Sequence, residues 1–203
     1  MNKIDVNIII SDRGYYQECA DSLKNEPVNI HEFKQSPEYG KLRIKGFSAG
    51  SSPYVAAVDD DDIVVEGIFQ RALEIMEQGY TAYYSNHYVM DAEKNVYGKR
   101  FDRLSSNIGF SQDHQMHHIV VYRRDIIEEV LPYLDGVKTR DKQLLNLKCI
   151  HDGTVFGENR MGLYWRIHDK NMHKNVKTED NPQHWKDKVT EYKTKILEKS
   201  KRT

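Results

Sequence analysis

A short apolar run that ends in four carboxylates constrains this chain more than any other stretch. Pro53–Val58 (PYVAAV) has no polar alternation, and Asp59–Asp62 follow it directly. Such a run is typical of a strand buried on both faces in the middle of a parallel sheet. Ligands of these sheets bind in the crevice at the carboxyl ends of the strands. The run therefore predicts negative charge at the position where a ligand would bind.

The acidic run has two interpretations when the residues are taken alone. Adjacent carboxylates repel one another, and a hard divalent cation bound through oxygen would relieve that repulsion. This favours a Mg²⁺ or Mn²⁺ site that holds a diphosphate. The alternative is a solvated acidic loop, or an acidic first turn on the helix that follows. Both stay open, because an acidic run is a weak motif.

Composition favours a soluble globular domain. A chain of 203 residues is long enough for one sizeable core. With 30 Lys and Arg against 31 Asp and Glu, no global field favours nucleic acid or membrane. The sequence has no apolar run of transmembrane length and no secretory leader, so we expect a cytoplasmic protein without integral membrane association. Cys19 and Cys149 lie in helix-like segments and are expected to be buried, reduced thiols.

The order of predicted elements indicates an α/β fold. Residues 4–11 and Val28–Phe33 are typical of strands around a helix from Tyr15 to Lys24, which makes a parallel βαβ unit. Asp125 and Glu128 have the spacing of a capping box at a helix start. The further predicted elements are a short helix at Lys41–Phe47, helices at Val65–Gln78, Asp125–Leu134 and Thr139–Ile150, and strands at Tyr54–Val58, Tyr80–Ser85, His118–Tyr122, Thr154–Phe156 and Leu163–Ile167. This alternation predicts a mostly parallel sheet.

The C-terminal segment has a different composition. Trp185, Val189, Tyr192 and Ile196 recur at helical spacing on a lysine-rich background. We therefore predict a domain over residues 1–175 and a basic amphipathic helix over 176–203 that packs on it or extends from it. Contact of that helix with a membrane surface or with nucleic acid is the alternative.

Five segments occur in an order that is similar to a known family. They are IIISDRGYYQECADSL, RIKGFSAGSSPYVAAVDDDD, HHIVVYRRDIIEEV, TRDKQLL and LYWRIHDKNMH. Together they resemble the nucleotide-sugar-dependent glycosyltransferases of family 2 over roughly residues 4–173. The resemblance implies a GT-A-like fold, with a mixed, mostly parallel central sheet flanked by helices. It also implies transfer of a hexosyl or pentosyl group from a UDP-linked sugar to an acceptor hydroxyl, with inversion.

The resemblance assigns roles to the acidic run and to the closing segment. Asp59 and its neighbour Asp60 correspond to the nucleotide side of the family's Asp-x-Asp motif, and Asp61 corresponds to its metal ligand. A Mn²⁺ or Mg²⁺ ion there would bridge the donor diphosphate. Arg166 and His168 lie on the closing segment, where the family contacts the nucleotide and the metal. For His168, a role as metal ligand and a place as an ordinary surface histidine both stay open.

Four further residues are assigned to the nucleotide by the same resemblance. Asp12 and Arg13 lie at the turn after the first strand, where the family holds the base and the ribose. Glu32 stands near the end of the second strand, where an acid contacts the uracil. Arg43 matches a basic residue in a short helix and could pair with phosphate.

Asp141 corresponds to the aspartate of the family's Glu-Asp pair, at the start of a helix. There it could act as general base and take the proton of the acceptor hydroxyl while that oxygen attacks the anomeric carbon. The alternative is that Asp141 only favours the helix dipole.

The acceptor stays open at this level. The resemblance allows a glycan or a hydroxymethylated DNA base, and the basic tail is compatible with DNA. A non-catalytic module that binds a nucleotide-sugar or nucleic acid is the alternative function. His114 and His118 have the i, i+4 spacing of zinc ligands, but His118 begins a strand-like run, which breaks helical spacing.

Overall fold

The computed structural model describes residues 2–36, 38–101, 116, 119–134 and 141–169, together with residues 187, 190, 191 and 194. The strands are β1 (Ile4–Ile10), β2 (Val28–Lys34), β3 (Tyr54–Asp59), β4 (Ile63–Val64), β5 (Ala82–Met90), β6 (Val96–Arg100), β7 (Val120–Arg123) and β8 (Val155–Arg166). The helices are α1 (Tyr16–Ser22), α2 (Tyr39–Ser48), α3 (Ile68–Met76), α4 (Arg124–Glu128) and α5 (Asp141–Asp152), with a 3₁₀ turn at Leu131–Tyr133.

The described strands form one mixed sheet. Its order is β2-β1-β3-β7-β5-β8-β4, and β6 pairs with the second half of β5. The pairs β1–β2, β1–β3 and β5–β8 are parallel and have the longer registers, whereas the other pairs are antiparallel. The predicted α/β class with a mixed, mostly parallel sheet is confirmed.

The central strands are apolar because both faces of the sheet are covered. Side chains of β1 and β3 pack on one face against α1 and α3, including Val6 and Ala56 against Phe69. On the other face, Val55 packs with helix residues such as Phe47. Since both faces of β3 are covered, its carboxyl end is where polar groups can collect.

Several elements differ from the sequence prediction; the helix predicted at Asp125–Leu134, for example, ends at Glu128 and is followed by a 3₁₀ turn. The predicted capping box is wrong: α4 begins at Arg124, and the Asp125 carboxylate accepts a hydrogen bond from Arg123 Nε at 2.7 Å instead. The two short strands predicted after α5 are one strand, β8. Its polar middle (GENRMG) looks like a loop in sequence. Within it, Gly157 and Met161 pair with β5, and register shifts around Asn86 accommodate the residues between them.

Other expectations have mixed outcomes. Cys19 and Cys149 are free and buried, as predicted. Within the described residues, no helix combines the length and the apolar character needed to cross a bilayer. The tail lies outside the described residues except for residues 187, 190, 191 and 194, which are helical. The domain boundary at residue 175 stays a prediction.

A buried carboxylate joins four elements at the start of the central strands. Asp5, on β1, is 1% exposed and accepts hydrogen bonds from Ser52 N at 2.7 Å and from Arg124 Nη2 at 2.6 Å. Asn29 Nδ2 and His31 Nε2, both on β2, lie 3.0 and 3.2 Å from Asp5 Oδ1. This carboxylate therefore has its partners in place and fixes the start of the sheet.

The same arginine holds the end of α2. Arg124 donates to the carbonyl oxygens of Phe47 and Ala49, both at 3.0 Å, and Nε donates to Ser52 O at 2.6 Å. Carbonyl groups at a helix C-terminus have no partner within the helix, and a cation there also favours the helix dipole. The α2 helix is thereby positioned beside β3.

We expect Asp5 to make stability depend on acid pH. Burial raises its pKa, but hydrogen bonds from Asn29, Ser52 and His31 outweigh that effect and lower the pKa from 3.8 to about 2. A lowered pKa in the folded state stabilises the protein above pH ~4, by about 2 kcal/mol, and the gain is lost as pH falls towards 2. Urea unfolding at several pH values should therefore show a steep loss of unfolding free energy in this window.

The control for this prediction is a pair of variants. Asp5→Asn should flatten the pH dependence below pH ~4, whereas Glu93→Gln, an exposed acid, should keep the wild-type slope. An unchanged slope in Asp5→Asn would show that other carboxylates carry the acid sensitivity.

Candidate active site

The acidic run joins three parts of the sheet. β3 ends at Asp59, the chain turns through Asp60–Asp62, and β4 then pairs with β8 at the far edge. The end of β1 runs beside β3, because Ile9 pairs with Asp59. The carboxyl ends of β1, β3 and β8 therefore meet around four carboxylates, as predicted for the acidic run.

Asp59 is the most accessible of the four acids. Its side chain is 34% exposed and accepts a hydrogen bond from Arg43 Nη2 at 3.0 Å. Arg43 comes from α2 and is buried. An accessible carboxylate held in one orientation by a buried arginine is well placed to accept hydrogen bonds from ligand hydroxyl groups.

Asp60 points back towards β1. Its Oδ2 accepts hydrogen bonds from both the backbone N–H and the hydroxyl of Ser11, each at 2.7 Å. Arg13 Nη2 lies 3.7 Å from its other oxygen. Asp60 is buried, so it fixes the turn after β1, which carries Asp12 and Arg13, against the acidic loop.

Asp61 is buried between two basic side chains. Arg13 Nη1 forms an ion pair with its Oδ2, and His168 Nε2 lies 3.0 Å from the same oxygen. Burial raises the pKa of Asp61, and the charges of Asp59 and Asp60 raise it further, while Arg13 and His168 act in the opposite direction. The balance is a raised pKa, so this carboxylate would gain from additional positive charge.

Asp61 and His168 have the geometry of two neighbouring metal ligands. Both side chains are buried, and 3.0 Å separates the carboxylate oxygen from the imidazole nitrogen. Two neighbouring ligands of an octahedral ion with bonds of about 2.1 Å lie about 3 Å apart. Oxygen and imidazole donors also suit Mn²⁺. Within the described part of the chain, no group of three or more His, Cys, Asp or Glu side chains is arranged to hold a metal ion.

Arg166 holds the acidic loop from behind. It is fully buried; its backbone N–H donates to Asp62 Oδ1 at 2.9 Å, and Nε donates to the Asp61 carbonyl at 2.8 Å. Nη1 donates to Ala92 O at 2.9 Å, and Nη2 donates to Glu18 Oε2 at 2.6 Å. Although the sequence assigned Arg166 to the nucleotide, its donors are directed at the protein itself.

Tyr15 is a site residue that sequence reasoning missed. The Arg166 guanidinium lies 4.2 Å from the centre of its ring, and the His168 ring lies 5.1 Å from it. The aromatic ring therefore packs against both basic side chains of the closing segment. The position of Tyr15 close to Arg13 in the sequence was the one sign that it could belong to the site. Its contacts with Arg166 and His168, which are far away in the sequence, depend on the folded sheet.

The remaining predicted residues lie around this cluster or outside the described residues. Asp12 is exposed at the turn after β1. Glu32 is exposed on β2 and accepts a hydrogen bond from the Tyr16 hydroxyl; burial and this carboxylate raise the pKa of Tyr16 to about 12. Asp141 is the first residue of α5, and its side chain lies outside the described atoms. His114 and His118 also lie outside the described residues.

Comparison with known proteins places the chain in a family. The family model for glycosyl transferase family 2 matches residues 2–131, which include β1 to β7 and the acidic run. The chain belongs to glycosyl transferase family 2. A sequence search of curated proteins finds no match.

Solved structures of S. aureus TarS share the fold. TarS 1–349 in complex with UDP-GlcNAc aligns with a TM-score of 0.70 at 12% identity, over 97% of this chain and 67% of that one. TarS 1–349 alone (TM-score 0.62, 13% identity) and its complex with UDP (0.60, 14%) each align over 81% of this chain and 60% of theirs. The chain thus spans 60 to 67% of the length of these structures, and the GT-A-like fold predicted from the sequence is confirmed.

The position of Arg166 leads to a prediction about stability. Arg166→Lys keeps the charge but loses the planar set of donors to the Asp61 and Ala92 carbonyls, so we expect a loss of about 3 kcal/mol in unfolding free energy. Urea unfolding would measure it. The matched control is Lys94→Met, because Lys94 also pairs with Glu18, at 3.1 Å, but is 53% exposed.

The control should lose less than about 1 kcal/mol, as is usual for surface ion pairs. If Arg166→Lys kept its unfolding free energy and lost only affinity for UDP, Arg166 would be a nucleotide contact after all.

Proposed function

We propose that this family 2 chain transfers a sugar from a UDP-linked donor to an acceptor hydroxyl, with inversion and with the help of Mn²⁺ or Mg²⁺. The observation that carries the proposal is the convergence of Asp59, Asp61 and His168 at the carboxyl end of a buried strand, next to Arg13 and Arg43. The likeness of the fold to a TarS structure that binds UDP-GlcNAc supports this choice of donor.

The nucleotide is assigned to the crevice beside β1 and β3. Asp12 and Glu32 are exposed and would contact the base and the ribose from the ends of β1 and β2. Asp59 would accept hydrogen bonds from the ribose hydroxyls, because it is the accessible acid of the run and Arg43 orients it. Asp60 would act indirectly, because it fixes the turn that carries Asp12.

Asp61 and His168 are the residues that would hold the metal, and the diphosphate would complete its ligands. When bound, the ion supplies positive charge that stabilises the leaving nucleoside diphosphate. Arg13 now shares the Asp61 oxygen with His168. If Asp61 held a metal, the Arg13 guanidinium would be available to pair with a phosphate oxygen of the donor.

Asp141 would take the proton from the acceptor hydroxyl while the acceptor oxygen attacks the anomeric carbon. The new bond forms as the bond between that carbon and the diphosphate oxygen breaks, so the configuration at the anomeric carbon inverts. An acid in the first turn of a helix such as α5 stays ionised, as a base requires.

The donor site can be tested by thermal shift. We expect UDP with Mn²⁺ to raise the melting temperature more than UDP alone. A ligand concentration of about a hundred times the dissociation constant would add about 2.7 kcal/mol to the free energy of unfolding. Asp61→Asn should lose the additional Mn²⁺-dependent shift, because it removes a charged ligand. Glu66→Gln, an exposed acid outside the site, should keep it. A full Mn²⁺-dependent shift in Asp61→Asn would remove Asp61 from the metal site.

The role of Asp141 can be separated from binding. Asp141→Asn should lower the turnover of UDP-sugar by about 10²- to 10⁴-fold and leave UDP binding intact. Asp125→Asn is the matched control, because Asp125 is an exposed acid in the first turn of another helix, α4. Unchanged turnover in Asp141→Asn would contradict the proposed base. Binding of UDP by the wild type with no turnover of any UDP-sugar would favour the non-catalytic module.

A further inference from the structure

A pocket lies on the sheet beyond the acidic run. It has a volume of about 320 Å³. β5 and β8 supply most of its lining, and the residue after β6 closes one side. The lining residues are Tyr84, Asn86, Phe101, Gly157, Glu158 and Asn159.

The register of the sheet places this pocket next to the candidate active site. Ala56 on β3 pairs with Val121 on β7, and Val121 pairs with Tyr83 on β5. Because β3 and β5 both run antiparallel to β7, they run in the same direction. Asp59 is three residues after Ala56 and Asn86 is three residues after Tyr83, so these two residues lie at the same level of the sheet. Only β7 separates β3 from β5, so two strand spacings, about 10 Å, separate the two positions.

We propose that this pocket binds the acceptor, and that the acceptor is a saccharide. The proposal rests on the proposed function, because it names the substrate that receives the sugar. The terminal sugar unit lies between the Asn86 and Asn159 amides and the Phe101 ring, with its hydroxyl groups directed towards the end of β3.

The pocket is shaped by a glycine. A Cβ atom on Gly157 would lie 2.1 Å from Cζ of the Tyr84 ring, so a larger residue at this position would displace the ring from its place against β8. The Tyr84 ring is buried and forms part of the pocket wall. The wall is thereby set by the packing of two neighbouring strands, and the pocket is formed before any ligand arrives.

The polar and apolar groups of the pocket match those of a sugar ring. Asn86 Nδ2 donates to Asn159 Oδ1 at 2.9 Å, which holds the two amides in a fixed orientation. An amide offers both donors and acceptors, as a pair of neighbouring sugar hydroxyls requires. Phe101 is 55% exposed and supplies an apolar ring on which the C–H face of a pyranose can lie. The volume, at the lower end of small-molecule sites, suits one or two sugar units.

The charge of the pocket favours a saccharide over a nucleic acid. Among the described residues that line it, Glu158 is the only charged one, and its carboxylate accepts from the Tyr83 hydroxyl at 3.0 Å and from Arg71 Nε at 3.2 Å. Binding of a nucleic acid depends on several Lys or Arg contacts to phosphates. A neutral saccharide acceptor needs no such contacts with Lys or Arg.

The same face continues towards a second contact area. Tyr88, two residues after Asn86, stacks on Tyr164 with ring centres 4.9 Å apart, and Lys99 Nζ lies 5.6 Å from the Tyr88 ring centre. Their phenol and ammonium groups offer hydrogen bonds to the next units of a chain, so an oligosaccharide should bind better than a monosaccharide.

The test is titration of the full chain with cellotriose, maltotriose and chitotriose, with and without UDP and Mn²⁺, followed by saturation-transfer NMR. We expect at least one trisaccharide to bind. Phe101→Ala and Asn159→Ala, both changes of exposed side chains, should each weaken it by about tenfold. Val96→Ala is the matched control, because Val96 is 49% exposed on β6 and does not line the pocket.

Three results would overturn the proposal. The first is that the wild type binds none of the three trisaccharides. The second is that oligothymidylate displaces the trisaccharide from the wild type but not from Phe101→Ala. The third is that the two variants lose affinity for UDP-GlcNAc and keep it for UDP, because the pocket would then hold the donor sugar. Failure of UDP to bind the wild type would defeat the proposed function instead, and the titrations without UDP would still decide whether the pocket binds saccharides.

Discussion

The structure depends on how four adjacent carboxylates are accommodated at the end of a buried strand. Charged groups are buried in folded proteins only when partners compensate them. Here Arg43 contacts Asp59, Arg13 and His168 contact Asp61, and two donors of Ser11 bind one oxygen of Asp60, Oδ2. These partners come from α2, from the turn after β1 and from the end of β8. Compensation of one acidic loop therefore brings three separate elements together.

The basic residues around the acidic loop differ in how many buried groups depend on them for hydrogen bonds. Arg166 is fully buried and donates to two backbone carbonyls as well as to Glu18, so moving it would leave several buried groups without partners. Arg13 is partly exposed, and its ion pairs among the described residues are with Asp60 and Asp61, two carboxylates that a metal could also compensate. Arg166 is therefore a permanent support of the loop, whereas the contacts of Arg13 are ones that a bound cation could replace.

The sequence predicted the parts of this arrangement that are local. Apolar runs identified β1 and β3, and the order of motifs identified the acidic loop, because each is encoded in consecutive residues. The middle of β8 was missed because its polar and glycine residues become a strand only when β5 pairs with them. The role of Arg166 was missed for a similar reason, since its partner Glu18 lies 148 residues away. The pocket at Asn86 depends on strand register, which no local pattern specifies.

The two ends of the central strands use the same residue type for opposite purposes. Asp5, at the start of β1, receives hydrogen bonds and an arginine, and its pKa falls to about 2, so its ionised form stabilises the fold. Asp61, at the end of β3, is buried among other acids, and its pKa is raised. A carboxylate that the protein compensates only in part costs stability, and such groups cluster where ligands bind. The opposite pKa shifts of Asp5 and Asp61, rather than the number of acids, therefore distinguish the start of the central strands from the end at which we propose ligand binding.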